Sequence, residues 1–377
     1  VLITNFHPTG GGGHVPYIQA LTDIPAFAED IVVGVSAPKG SRIYQYLSES
    51  SQPFLFPNDY PAKIQKELPD ILKSMRNFRK IVAEFKPHIV HTNGAADLFI
   101  ATWSYPISGP PYKIVRTHHA IRTLPKSPYH RWLYSKRAES NIYVSRSSFE
   151  LSTDKGLVPS NPVVIANGVD LEQFRPVPRD AALAREYGID DHCLCFGSCA
   201  GTGSYKRIDT IIDAAIELKK QGSYNFKILV LGQESSGLAL QKMAHEKGLK
   251  EFIYCGYHKD IEPYVSLFDA GFILSDSIET ISFAAREMMA MGKPLISSSF
   301  SGLKENVLHG INGFLVRPGN VADTASAMKQ YLEMSKETLQ QFSLQARAYA
   351  MDNFDISTQQ KDHASLYRSL AVTAVKR

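Results

Sequence analysis

Long apolar runs are missing. No stretch of about 18 apolar residues occurs, so nothing reads as a membrane span. Cysteine is scarce: four in 377 residues make no disulfide framework and fit a reducing compartment. His192-Cys193 and Cys195-x3-Cys199 lack the spacing of a zinc site. Cys193 and Cys195 share one strand face and read as core. No leading basic-then-apolar segment reads as a signal peptide. A D-x-D pair for a metal–diphosphate, a G-x-S-x-G elbow and an H-E-x-x-H helix are also missing. What is present is an ordinary globular mixture, 44% hydrophobic and 21% charged. At roughly 100–200 residues per domain, the length gives two or three domains.

Charge is unevenly placed. Residues 1–170 hold 18 Lys+Arg against 13 Asp+Glu, and residues 171–377 hold 23 against 24. Segment 113–137 carries seven Lys/Arg, three His and no acid. It reads as a solvated basic face, a contact for an anionic membrane, or a site for a phosphorylated substrate. Tyr129, Trp132, Leu133 and Tyr134 add apolar anchors beside that charge. No nucleic-acid role is expected, because neither a recognised motif nor interleaved aromatics on a sheet accompany the charge.

The chain opens as strand, glycine turn and helix: VLITNF, Gly10–Gly13, then HVPYIQAL. Apolar runs at 31–35, 88–93, 113–119, 141–146 and 162–167 read as further strands. Residues 61–86 have helical spacing. Residues 168–178, with one Gly and two Pro, mark a domain boundary. Strand and helix patterns then start afresh, with strands at 193–198, 226–232, 251–256, 270–275 and 293–299. Residues 323–333 form a helix with Ala325, Met328 and Leu332 on one face. FLVRP, between Gly310 and Gly319, reads as a hairpin-like turn.

Parallel sheets take ligands at the carboxyl ends of their strands, and the unusual residues gather there. Gly10–Gly13 can bring backbone close to a ligand and leave helix N–H groups for an anion; a bare turn is the plain alternative. His118 ends a strand and can meet sugar hydroxyls or phosphate. Adjacent residues of an extended chain point opposite ways, so His118 and His119 make a poor metal pair. Lys206 and Arg207 precede a helix, where Lys206 can reach a diphosphate. Glu279 lies in a loop before a helix whose first N–H groups, near Thr280, Ile281 and Ser282, can hold phosphate. Glu287 lies more than a turn into that helix. There its carboxylate can accept from two adjacent ribose hydroxyls, and burial requires that it be paired or ligand-bound.

In order and spacing these residues resemble the retaining glycosyltransferases of family 4, which have the GT-B fold. The likeness rests on Gly10–Gly13 with His14, Thr117-His118, Asn167-Gly168-Val169-Asp170 with Phe174, Gly197, Lys206 and Glu279-x7-Glu287. It continues through Met289-Ala290-x-Gly292-x-Pro294, Gly302, Glu305, Gly310 and Gly313.

The resemblance implies two Rossmann-like α/β domains facing a central cleft. Residues 1–170 would bind the acceptor and 171–355 the nucleotide-sugar donor, with a C-terminal helix, 356–377, returning to the first domain. The implied reaction moves a hexose from a UDP- or GDP-linked donor to a hydroxyl of a glycan or lipid-linked acceptor. It retains anomeric configuration, needs no metal or other cofactor, and serves cell-surface polysaccharide or lipopolysaccharide assembly. His118, Lys206 and Glu279 are the implied catalytic residues. Gly12, Gly13, Lys206, Arg207, Thr280, Ile281, Ser282 and Glu287 would contact the donor. Three departures stand out: Ser198 follows Gly197 where the family has arginine; the insert Cys199–Ser204 is long, with Arg207 where the family often has glycine; and Glu279-Thr280-Ile281-Ser282 replaces Glu-Gly-Phe-Gly. A UDP-sugar epimerase of the same fold, or a non-catalytic nucleotide-sugar binder, are the alternatives. The expected location is the cytoplasm, with peripheral contact to the inner membrane face as a further reading.

Overall fold

The computed structural model describes residues 1–10, 12–26, 28–61, 64–107, 109–119, 127–153 and 159–372, with backbone alone at 64–66 and 130. Gly11 of the glycine run, and Arg122 and Lys126 of the basic segment, lie outside the described residues. The chain divides into two compact units, Val1–Asn167 with Ser357–Arg377, and Gly168–Ile356. The first crossing falls just before Val169. That residue pairs with the end of the second unit, where Val169 N donates to Phe354 O at 2.8 Å and Ile356 N to Val169 O at 3.1 Å.

The first unit is built on seven strands: β1 (Leu2–Thr4), β2 (Gly34–Ala37), β3 (Leu55–Pro57), β4 (Ile89–Thr92), β5 (Lys113–His118), β6 (Ser140–Tyr143) and β7 (Pro162–Val164). They pair in parallel in the order β3-β2-β1-β4-β5-β6-β7. Leu2, Ile3, Val35, Val90, Ile114 and Val115 are fully buried, as expected for a parallel sheet covered on both faces. The order reverses between β1 and β4, so the loops after those two strands open a crevice. The helix Ile356–Val372 is tied into this unit by a buried polar network. Tyr17 Oη bonds His363 Nε2 at 2.8 Å, and His91 Nδ1 bonds Tyr367 Oη at 2.6 Å. The Thr117 hydroxyl joins Tyr17 and His91. Each of these links gives a buried polar group its partner.

The second unit has six strands: β8 (Leu194–Ser198), β9 (Phe226–Leu231), β10 (Phe252–Gly256), β11 (Ala270–Ile273), β12 (Leu295–Ser298) and β13 (Gly313–Val316). Their order is β10-β9-β8-β11-β12-β13, again all parallel. Here the reversal lies between β8 and β11. The hairpin-like turn expected at 310–319 is instead the strand β13, parallel to β12. Phe314 and Val316, each 4% exposed, alternate into the core, and that burial decides for the sheet. The helix expected at 323–333 runs Val321–Glu333 and buries Ala325, Met328 and Tyr331. Leu332, partly buried, packs against the same core, and Tyr331 adds bulk beside it. Cys193 and Cys195 are buried core thiols, and all four cysteines are free.

Candidate active site

The reversal of the second sheet places the loops after β8 and β11 side by side. Gly197, at the end of β8, is packed rather than open: a Cβ there would lie 2.2 Å from the Phe268 ring. The loop 199–203 then leads into a 3-10 turn, Ser204–Lys206, that carries Lys206 inward. Lys206 is 8% exposed, and its ammonium donates to Glu279 Oε2. The same carboxylate accepts from Ser275 Oγ at 3.0 Å, so Glu279 is held from two sides. Two residues distant by 73 positions thus form one charge-assisted contact at the switch point.

Glu287 occupies the fifth position of the helix Phe283–Ala290. Burial and the nearby Glu262 carboxylate push its carboxyl up to about 7. The Cys199 thiol is pushed up by burial and by Glu287, which places the loop after β8 beside that carboxylate. Glu287 is half-buried, and a hydrogen-bonding ligand there would stabilise its ionised form.

Arg207 points elsewhere. It takes a left-handed conformation, φ 53° and ψ 43°, at the start of the helix Ile208–Gln221. Its guanidinium donates to Asp276 Oδ2 at 2.6 Å and to Asp209 Oδ2 at 3.0 Å, and these bonds hold its charge firmly. Ile281 and Ser282 are buried, and Asn306 Nδ2 donates to Ile281 O at 2.6 Å. Ser282 has φ 55° and ψ 108°, a region that favours glycine, at the position where the resembling family has glycine. Thr280 lies in the same turn, ahead of the helix whose first N–H groups lack intrahelical partners.

In the first unit, Gly12 and Gly13 lead into the helix His14–Thr22, with Gly13 as its cap. His118 does not face them. It is 6% exposed, its Nε2 bonds Asn141 Oδ1 at 3.0 Å, and its ring stacks on Tyr143 at 4.6 Å. Burial, then Arg116, pushes it down to about 3, so it is neutral. The neighbouring His119 turns the other way, as alternate residues of a strand must. Its ring lies 4.1 Å from His14 and 4.5 Å from Tyr17, and its Nε2 bonds Asn93 Oδ1 at 2.8 Å. The histidine beside the glycine turn is therefore His119. The T-H-H sequence held this alternative, and only the side-chain direction separates the two.

Among the described residues, no group of three or more His, Cys, Asp or Glu side chains is placed to hold a metal ion. No described helix is long and apolar enough to cross a membrane.

Residues 32–173 match the pattern of Glycosyltransferase Family 4, and residues 190–334 that of Glycosyl transferases group 1. A D-inositol 3-phosphate glycosyltransferase of Nocardia farcinica is 29% identical over 195 residues, 50% of this chain and 43% of that protein. A glycosyltransferase of Salmonella typhimurium named for colanic acid biosynthesis is 27% identical over 224 residues, 57% of this chain and 53% of that protein. The chain spans about half the length of these curated relatives. The structure of Anabaena HepE in complex with UDP has a TM-score of 0.80 at 20% identity, covering 98% of this chain and 99% of that one. At that identity the likeness speaks for the fold. Two adjoining family matches on two Rossmann-like units make this a GT-B-fold chain related to glycosyltransferase family 4.

Proposed function

We propose that this chain transfers a hexose from a nucleotide-sugar donor to a hydroxyl of a glycan or lipid-linked acceptor, with retention of anomeric configuration, in surface-polysaccharide assembly. The observation that carries the reading is the Lys206–Glu279 contact at the switch point of the second sheet, with Glu287 in the adjoining helix. Glu287 accepts from the two ribose hydroxyls. Lys206 exchanges its carboxylate partner for the diphosphate and offsets the negative charge that grows as the sugar leaves. Glu279, released from Lys206, turns to the donor-sugar hydroxyls. The helix N-terminus after Thr280–Ser282 adds its N–H groups to the same anion. Arg207, committed to Asp209 and Asp276, is a frame residue in this reading.

The first unit takes the acceptor. Gly12 and Gly13 approach the diphosphate, and His119 replaces His118 as the histidine that meets the transferred sugar. The complexes of Anabaena HepE with UDP and with UDP-glucose support a uridine donor, and the name of the Salmonella relative supports a polysaccharide product. Same-face attack, with the departing phosphate oxygen taking the acceptor proton, accounts for retention without an enzyme nucleophile. The test is to incubate the purified chain with UDP-glucose and GDP-mannose and to follow nucleotide release and the anomeric proton of the product. An epimerised free donor would replace transfer by epimerisation, and nucleotide binding without turnover would leave a binder.

Contact with an anionic membrane is a second part of the proposal, and the structure narrows its residues. Leu133 and Tyr134 are each 4% exposed and belong to the core, so they are no anchors. Tyr129 and Trp132 are 37% and 38% exposed, beside Arg137. Sedimentation with anionic vesicles should decline when Trp132 is replaced by alanine, and no sedimentation at low salt would make this a solvated face.

A further inference from the structure

The first unit also holds a large cavity, about 980 Å³, between the ends of β1, β2 and β3 and the helix Ile64–Phe85. Small-molecule sites occupy roughly 300–1,000 Å³, so this one has room for more than a single sugar ring. Lys73, Arg76 and Lys80 line it from the helix, and Lys39 from the turn after β2. Spacings of three and four residues put the three helix cations on one stripe. All four are exposed, and none forms an ion pair among the described residues.

The floor is already built. Asn58, 5% exposed, donates from Nδ2 to Ser74 Oγ at 3.2 Å and accepts from Asn77 Nδ2 at 3.1 Å. Tyr60 Oη donates to Ser36 Oγ at 2.8 Å. Pro8, Pro38, Pro57 and Pro61 supply stiff apolar wall, which suits the C–H face of a sugar. Glu67 and Asp70 line the cavity one to two turns before the cations, so one end is acidic and the other basic. A neutral sugar has no use for a row of unpaired cations, and a bare anion has no use for the proline wall and the amides.

We propose that this cavity binds a saccharide bearing an anionic group, a phosphate or a carboxylate, at its Lys73–Arg76–Lys80 end. Its hydroxyls lie toward Asn77 and the acidic end. That the saccharide is the acceptor rests on the glycosyltransferase reading above; that the cavity binds it does not.

The test is calorimetric titration of the full chain with glucose 1-phosphate, glucuronic acid, glucose and inorganic phosphate. It is repeated on the triple variant Lys73→Ser, Arg76→Ser, Lys80→Ser, whose exposed positions leave the fold intact by melting temperature. At least one anionic sugar should bind, and the variant should bind it about tenfold more weakly or worse. Raising salt from about 50 to about 500 mM should weaken it as well, because exposed charges are screened. Binding of glucose 1-phosphate alone identifies a phosphorylated ligand, and of glucuronic acid alone a carboxylated one. The proposal is overturned if neither binds, if glucose binds equally, if inorganic phosphate binds as tightly as glucose 1-phosphate, or if the variant is unchanged. UDP titration separates the two readings. The triple variant should keep wild-type UDP affinity, and wild-type protein that binds anionic sugar but no UDP would sink the donor reading alone.

Discussion

The two sheets share a strand order, yet they gather opposite kinds of residue at their carboxyl ends. In the first unit the histidines around the reversal are neutral, and they lie beside a buried ion pair, Arg116 Nη1 with Asp97 Oδ1 at 3.8 Å. His14, His91, His118 and His119 are all pushed down, chiefly by burial, and the last three spend hydrogen bonds on threonine, asparagine and tyrosine. In the second unit the groups are ionic and already paired: Lys206 with Glu279, Arg207 with Asp209 and Asp276. A neutral network fixes shape and gives little to a charged ligand. An ion pair with a carboxylate can trade that carboxylate for a phosphate. The difference favours the second unit for the diphosphate contact proposed above.

The largest expected effect comes from breaking the second unit's central pair. Lys206→Ala should lower turnover by about 10²-fold or more, near 2.7 kcal/mol. It also leaves the partly buried Glu279 without its cation, so the variant's melting temperature should be measured alongside its rate. A rate near wild type would mean that backbone N–H groups carry the diphosphate. Next, Glu287→Ala should weaken UDP binding by roughly 30-fold, about 2 kcal/mol, by titration. Unchanged affinity would remove the ribose role.

A third expectation uses acidity. Burial, then the Glu262 carboxylate, pushes the Glu287 carboxyl up to about 7. Below its ordinary value of 4.5 this carboxyl costs folding nothing; the penalty grows from there to about pH 7 and is constant above. Ribose hydroxyls favour the ionised form, so UDP affinity should rise about tenfold from pH 6 to 8. Glu287→Gln should abolish that rise and, without ligand, increase the melting temperature at pH 8 but not at pH 5. A flat binding profile in the wild type would break the assignment. The smallest effect is Arg207→Ala, which should change turnover by less than about threefold, under 1 kcal/mol. If Arg207→Ala is inactive while Lys206→Ala is not, the diphosphate contact sits one residue later.

The second unit's candidate site could be read in sequence because its residues come in short segments with a set order and spacing: Lys206 before one helix, Glu279 and Glu287 around another. Periodicity also fixed most strands. The first unit was less legible for geometric reasons. His118 and His119 differ only in which side of an extended chain they occupy, and the sequence prints both. His91 and Tyr367, 276 positions apart, carry no local signal of their bond. β13 read as a turn because its flanking glycines outweighed a four-residue apolar run. The cavity's cation stripe was visible only as part of an amphipathic helix, since helical spacing cannot say whether a polar face meets water or a ligand.

The fastening of the helix Ile356–Val372 to the first unit bears on how the protein is made. Tyr17 waits 346 positions for His363, and His91 waits 276 for Tyr367. During synthesis the first sheet leaves the ribosome early, while the partners for its buried hydroxyl and imidazole are still untranslated. The second sheet and its covering helices lie within residues 168–356 and are complete in sequence before the final helix is made. The half that emerges first is thus completed last. A nascent chain halted before the final helix would present a finished second unit beside a first one with a polar, unsealed seam, the kind of surface that chaperones hold and that unfinished chains share with aggregates.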